Sequence, residues 1–214
     1  MKKPYKIAII DYQLSNMFSI KNALDKLGYD NEITTDYQKI VSADGAVLPG
    51  VGSFPDAMKY IKALNLDRAI ADFISTGKPF MGICLGLQLL FSGSEEFCHT
   101  EGLGIIEGTV GSFKRQQSVK RIPHAGWNQI RKRHVPHERI SDHRPLYQID
   151  DEEYFYFVHS YFVHPKNQKD IMTTTTYDGF EFCSSVLKDN VFASQFHPEK
   201  SGVNGLKILT NFFK

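Results

Sequence analysis

Hydrophobic positions change their period near residue 100, and the two halves of the chain predict different kinds of structure. In the first half, short and almost uninterrupted apolar runs alternate with stretches in which apolar residues recur every three or four positions. Residues 5–11 (YKIAIID), 31–35 (NEITT), 45–50 (GAVLPG) and 78–84 (KPFMGIC) read as strands buried on both faces, which is the pattern of a parallel sheet. Met17, Ile20, Ala23, Leu24 and Leu27 fall on one helical stripe with Gly28 placed to end it, so 17–27 reads as a crossover helix. FPDAMKYIKAL and LDRAIADFISTG predict two more helices, the second ended by Gly77. LGLQLLF (85–91) reads as a helix continuing directly from the 78–84 strand.

After residue 100 the runs LGIIEGTVGSF, WNQIRK, EEYFYFVHSYFV, DIMTTTTY, EFCSSVL and NVFASQFH are rich in β-branched and aromatic residues. KDN (188–190) predicts a hairpin turn, and NGLKILTNFF a closing helix. There is no internal repeat, low-complexity tract or linker, so the halves are expected to share one sheet system. The expectation is an α/β fold with a mostly parallel central sheet flanked by helices and a β-rich C-terminal half, in a single domain over 1–214.

Composition narrows the setting. A chain of 214 residues can bury one substantial core. Lys and Arg total 25 against 24 Asp and Glu, so no global field draws the protein to nucleic acid or an anionic membrane. Three cysteines, an odd number, do not make a disulfide framework and suit a reducing cytoplasm. The start, MKKPYKIAIID, has too short an apolar run for a signal sequence, and no stretch approaches the roughly 20 apolar residues of a membrane helix. A soluble, cytoplasmic protein is expected.

The chemistry begins at GICLG (82–86), where a strand turns into a helix around Cys84. Glycines two before and two after a nucleophile allow the close packing of a strand-to-helix elbow. A thiol at a helix N-terminus is favoured as thiolate. The competing reading is a buried structural cysteine, since free cysteines are among the most buried residues. FHPE (196–199) offers the groups a nucleophile requires: in an extended segment His197 and Glu199 point to one side, so the carboxylate can orient the imidazole. Taken alone, that triplet is ordinary loop composition; together with the elbow it makes a Cys-His-Glu constellation.

The acid follows the histidine in the chain, unlike the order in α/β-hydrolases. With GICLGLQLLF, PGVGSF (49–54) and QFHPEKSG (195–202), the sequence resembles the class I glutamine amidotransferases. PHAGWN (123–128) and YFVHSY (156–161) are similar, within that class, to the HisH family of glutaminase subunits of imidazole glycerol phosphate synthase. The likeness runs over essentially the whole chain. It implies hydrolysis of glutamine to glutamate and ammonia through a thioester on Cys84, with His197 as acid and base and Glu199 orienting it. Gly50, Val51 and Gly52, with the amide of Leu85, would supply oxyanion donors, and Gln88, Ser160 and Tyr161 would hold the substrate. No cofactor is implied.

The resemblance also implies a (β/α)8-barrel cyclase partner that receives the ammonia, with Asn16, Trp127, Tyr156 and Lys200 at or near the interface. For Trp127 a core position is the other reading. The basic run KRQQSVKR (114–121) reads as a solvated loop that could flank this face. One segment departs from the family: DYQLSN (11–16) stands where members carry D-Y-G-x-G-N, so both glycines are replaced while Asn16 is kept. The departure leaves open a paralogue supplying ammonia to an amidotransferase of bacterial surface-sugar synthesis. Another class, a catalytically silent binding subunit, runs against the intact Cys84, His197 and Glu199. His134, His137 and His143 form a weak metal-like spacing without a fourth ligand, and no metal is expected.

Overall fold

The apolar run after Tyr5 forms strand β1 (Lys6–Ile10), and its alternation sets the layers: Ile7 and Ile9 pack on one side of the sheet, Ala8 and Ile10 on the other. A computed structural model describes residues 5–14, 17–133 and 145–214. Helix α1 (Met17–Lys26), strand β2 (Asp30–Thr34), helix α2 (Tyr37–Ser42) and strand β3 (Gly45–Leu48) follow. Next come α3 (Phe54–Ala63), α4 (Leu66–Ser75), β4 (Phe80–Ile83) and α5 (Leu85–Leu89). The second half contains β5 (Phe91–Ser94), β6 (Thr100–Glu101), β7 (Ile106–Ser112), β8 (His124–Gln129), β9 (Arg131–Lys132) and β10 (Tyr154–His159). It ends with β11 (Tyr161–Pro165), β12 (Ile171–Tyr177), β13 (Phe180–Lys188), β14 (Val191–Ser194) and α6 (Gly202–Phe212).

Among the described residues the main sheet runs β2-β1-β3-β4-β14-β13-β11-β7-β5-β6, with β12 and β9 attached beside β13. From β2 to β14 neighbours are parallel, and beyond β14 pairing is mostly antiparallel. The expected α/β architecture is therefore found, and the β4–β14 pair joins the two halves in one sheet. Helices α3 and α4 cover one face through Ala57, Ile61, Ala69 and Phe73; α1 and α6 cover the other through Ile20, Leu24, Ile208 and Phe212. The β8–β10 ribbon packs on the second face through Phe155 and Phe157. Lys188 pairs with Val191 across a two-residue hairpin in which Asp189 takes φ 51°, as the KDN turn predicted.

Two local expectations are corrected. The helix expected over 85–91 stops at Leu89, and Phe91 begins β5, which pairs with β7. LGLQLLF is apolar on every side, so no stripe marks its end and a nonlocal strand pair decides it. Helix α2 was not foreseen: six residues bury only Ile40, too few to show a period, and Asp36 caps it by accepting from the Lys39 N–H.

No described helix is long and apolar enough to cross a membrane. The parallel strands set up the functional region, because the segments leaving the carboxyl ends of β1, β3, β4 and β14 converge there.

Candidate active site

Cys84 sits between β4 and α5 with φ 56° and ψ −107°, a conformation that costs a non-glycine residue strain. Its backbone N–H donates to the Ser194 carbonyl at 2.8 Å, tying the elbow to β14. The flanking glycines are required by close approach. A Cβ on Gly86 would collide with the Leu48 carbonyl oxygen, and one on Gly82 would lie 3.0 Å from the Gly86 carbonyl oxygen. Cys84 is 7 % exposed, and its sulfur opens into a cavity of about 350 Å³. Leu85 is the first residue of α5, where an N–H has no carbonyl one turn back to satisfy it.

His197 and Glu199 meet as expected, Nδ1 to Oε1 at 2.8 Å, but by a different backbone route. Instead of an extended segment, Pro198–Lys200 forms a 3-10 turn with His197 extended just before it. The proline takes the first position of that turn, where its missing N–H is not needed. The His197 N–H donates to the Tyr156 carbonyl at 2.9 Å, and its own carbonyl accepts from Ser201 Oγ at 2.6 Å. The two side chains are 4 % and 3 % exposed. Burial alone would hold the imidazole neutral, but the adjoining Cys84 sulfur and the Glu199 carboxylate outweigh it and hold the His197 pKa above the ordinary histidine value. Its Nε2 has no hydrogen-bond partner among the described residues.

Val51, Gly52, Leu85, Gln88, Ser160 and Tyr161, all named from the sequence, line the same cavity as Cys84 and His197. Gly50 lies behind it, with Tyr12 Oη so close that a Cβ would collide with it. That hydroxyl is fully buried without a partner among the described residues. The Val51 N–H donates at 3.1 Å to the carbonyl of Leu14, a residue that does not line the cavity. Gly52 has φ 98°, a region open to glycine.

Three lining or supporting residues were missed from sequence. Glu96 is 7 % exposed and lines the cavity, and Oε2 accepts from the Phe54 N–H at 2.8 Å. Burial raises its pKa, against the opposing pull of that hydrogen bond. In GSEEFCHT it looks like half of a solvated acidic pair, and nothing local marks it. His159 also lines the cavity: Nδ1 bonds the Tyr161 carbonyl at 2.8 Å, and Nε2 bonds His124 Nδ1 at 2.9 Å. Burial lowers the pKa of His159 to about 3 and that of His124 to about 4. Gln195, fully buried, bonds Gln88 at 3.1 Å and lies 3.6 Å from the Cys84 sulfur. It stands inside the QFHPE motif, but its neighbour His197 drew the reading.

Around the mouth, Trp127 is 55 % exposed, so it is a surface residue rather than a core aromatic. Its ring meets Tyr156 edge-on at 6.2 Å, and Lys200 Nζ lies 6.0 Å over the Tyr156 ring. Exposed Phe18 at the start of α1, Val203 on α6 and Tyr154 and Val158 on β10 extend the apolar surface. The 114–121 run is exposed apart from half-buried Gln116 and buried Val119, and is anchored by Asp178, which accepts from the Lys120 N–H. Asn16, His134, His137 and His143 lie outside the described residues.

The family model for class-I glutamine amidotransferases matches residues 8–214. The chain is similar to imidazole glycerol phosphate synthase subunit HisH of Syntrophotalea carbinolica, 45 % identical over 96 % of this chain and 98 % of that one. It is also similar to imidazole glycerol phosphate synthase subunit HisH 1 of Methanococcus maripaludis, 47 % identical over 96 % of this chain and 98 % of that one. Among solved structures, PurLQS from Thermotoga maritima shares the fold, with a TM-score of 0.73 at 19 % identity over 98 % of each chain.

Proposed function

Because the chain belongs to the class-I glutamine amidotransferase family, we propose that it is the glutaminase subunit of an imidazole glycerol phosphate synthase, working through Cys84, His197 and Glu199. The near-full-length likeness to HisH subunits supports the assignment. The single observation that carries the chemistry is a strained cysteine and a carboxylate-bonded histidine facing one cavity.

In this mechanism Cys84 Sγ, as thiolate, attacks the side-chain amide carbon of glutamine. The imidazolium of His197 gives a proton to the departing nitrogen, the C–N bond breaks, and ammonia leaves with a γ-glutamyl thioester on Cys84. Water then loses a proton to His197 as its oxygen attacks the thioester, and the thiolate departs as glutamate forms. Glu199 holds Nδ1 so that Nε2 faces the sulfur. Glutamine fits a cavity of about 350 Å³, and Glu96 supplies the buried anion that its ammonium group requires. Gln88, Ser160 and Tyr161 hold its polar atoms.

The oxyanion needs donors at the attacked carbonyl. Leu85 N–H is one, and Val51 N–H becomes the second only by leaving the Leu14 carbonyl. Docking of a cyclase against the surface around Trp127, Tyr156 and Lys200 would favour that exchange, and would carry ammonia onward before water protonates it. The partner is read as a (β/α)8 barrel by family resemblance. The DYQLSN segment that departs from the family pattern provides the Leu14 carbonyl, so the departure falls on the switch and not on the chemistry.

The test is acid quenching during turnover with glutamine, followed by peptide mass mapping. A γ-glutamyl adduct on the Cys84 peptide, absent in Cys84→Ala, is expected. Cys84→Ala should also lose glutamine-driven but not ammonia-driven synthesis by the complex. Glutamine hydrolysis persisting in Cys84→Ala would reject the assignment.

A further inference from the structure

We propose that Gln195 is a polar partner of the nucleophile beside His197, donating an N–H hydrogen bond to the Cys84 sulfur so that the thiolate stays stabilised when His197 gives its proton away. The inference rests on Cys84 being the nucleophile and deepens that reading.

The direction of the amide follows from the hydrogen bonds around it. The Tyr161 carbonyl can only accept, and it receives Gln88 Nε2 at 3.1 Å and His159 Nδ1 at 2.8 Å. Gln88 is thereby fixed with its nitrogen inward, and the second proton of that nitrogen points to Gln195 Oε1 at 3.1 Å. With its oxygen committed to Gln88, Gln195 must turn Nε2 toward Cys84 Sγ, 3.6 Å away. The reversed amide would set two NH₂ groups against each other inside the protein.

The donor is preorganised. Gln195 is fully buried, its backbone N–H donates to the Ser184 carbonyl at 2.9 Å, and the preceding Ser194 carbonyl holds the Cys84 N–H. No water competes for the amide, and a donor aimed at sulfur favours the anion over the thiol. His197 cannot serve in this way throughout, because its proton moves to the leaving nitrogen in the first step. Gln195 keeps its protons through both steps, so it also stabilises the thiolate expelled from the thioester. Through Oε1 it positions Gln88 as well, coupling the nucleophile to the substrate amide site.

The test uses the full chain with Gln195→Met, which keeps length and loses the donor, Gln195→Glu, which keeps shape and places oxygen where nitrogen stood, and Gln88→Met. Alkylation of Cys84 by iodoacetamide is followed across pH by mass spectrometry of the Cys84 peptide, beside kcat and KM for glutamine. A charge-assisted hydrogen bond predicts that Gln195→Met slows alkylation at pH 7 by about tenfold, with the rate recovered at higher pH and kcat lowered to match. Gln195→Glu should slow it further, and it decides the matter if Gln195→Met fails to fold. Gln88→Met should raise KM and, by releasing the Gln195 amide from its fixed orientation, slow alkylation in the same direction by no more than Gln195→Met does. Reactive Cys84 with unchanged profiles in both Gln195 variants overturns the proposal alone. So does slower alkylation in Gln88→Met than in Gln195→Met, because Gln88 would then be the group acting on the sulfur. Inert wild-type Cys84, with hydrolysis surviving in Cys84→Ala, overturns the nucleophile reading and this proposal together.

Discussion

Cys84 is held at a φ that disfavours any side chain, and the same elbow leaves its sulfur in a cavity beside an imidazole. Such a site should be intolerant of change at the thiol and at the base, and less so at the residue that orients the base. His197→Ala is expected to slow thioester formation by a larger factor than Glu199→Gln, since Glu199 acts through Nδ1 and never touches substrate. Single-turnover rates decide this, and a more damaging Glu199→Gln would reverse the roles. Cys98→Ala and Cys183→Ala should leave glutamine hydrolysis within about twofold of normal. Cys98 is exposed, and Cys183 is a buried thiol whose pKa burial pushes upward. Residue-scale legibility followed chemistry at fixed spacing: GICLG and FHPE each state a nucleophile or a base in a few positions. Glu96 and His159 carry no such spacing, because their partners Phe54 and His124 come from distant segments.

At the scale of elements, the parallel strands with their crossover helices were legible because burial on both faces leaves unbroken apolar runs. The β8–β10 ribbon was legible only as strands, since nothing local in PHAGWN says that it pairs with YFYFVH. That ribbon brings His124 and His159 together, buried and neutral, with His124 stacked against Phe157 and Tyr177. Folded pKa values near 4 and 3 lie below the ordinary histidine value, so between about pH 6.5 and those values the unfolded chain binds more protons. Stability should therefore fall as pH drops through that window. Chemical denaturation across pH checks this, and His159→Gln should flatten the slope; a stability that rose on acidification would contradict it. The 50–52 segment makes a second prediction. A Cβ on Gly52 would meet nothing within 4 Å, yet φ is 98°. Gly52→Val should therefore act through the backbone, abolishing stimulation by partner while the Cys84 thiol stays reactive. Normal stimulation in Gly52→Val would show that the segment does not reorient.

Across the whole molecule, several exposed apolar side chains stand on elements near the catalytic cavity. Phe18, Trp127, Tyr154, Val158 and Val203 come from α1, β8, β10 and α6, elements that surround the His197 turn. Exposed apolar side chains of this kind are consistent with the docked subunit proposed above. The proposed interface was only partly legible: Trp127 is as consistent with a core as with a surface until the ribbon is placed, and Asn16 falls outside the described residues. Under the proposed function, this chain is a Cys84 glutaminase held slow by the Val51–Leu14 hydrogen bond until a cyclase docks. That reading is tested most directly by glutamate release from the isolated chain, compared with release in the presence of the cyclase subunit and its acceptor substrate. One withheld oxyanion donor typically costs about 10²- to 10³-fold in kcat, so stimulation of at least that order is predicted. Full activity of the isolated chain, or stimulation by a surface-sugar amidotransferase and none by the cyclase, would contradict it.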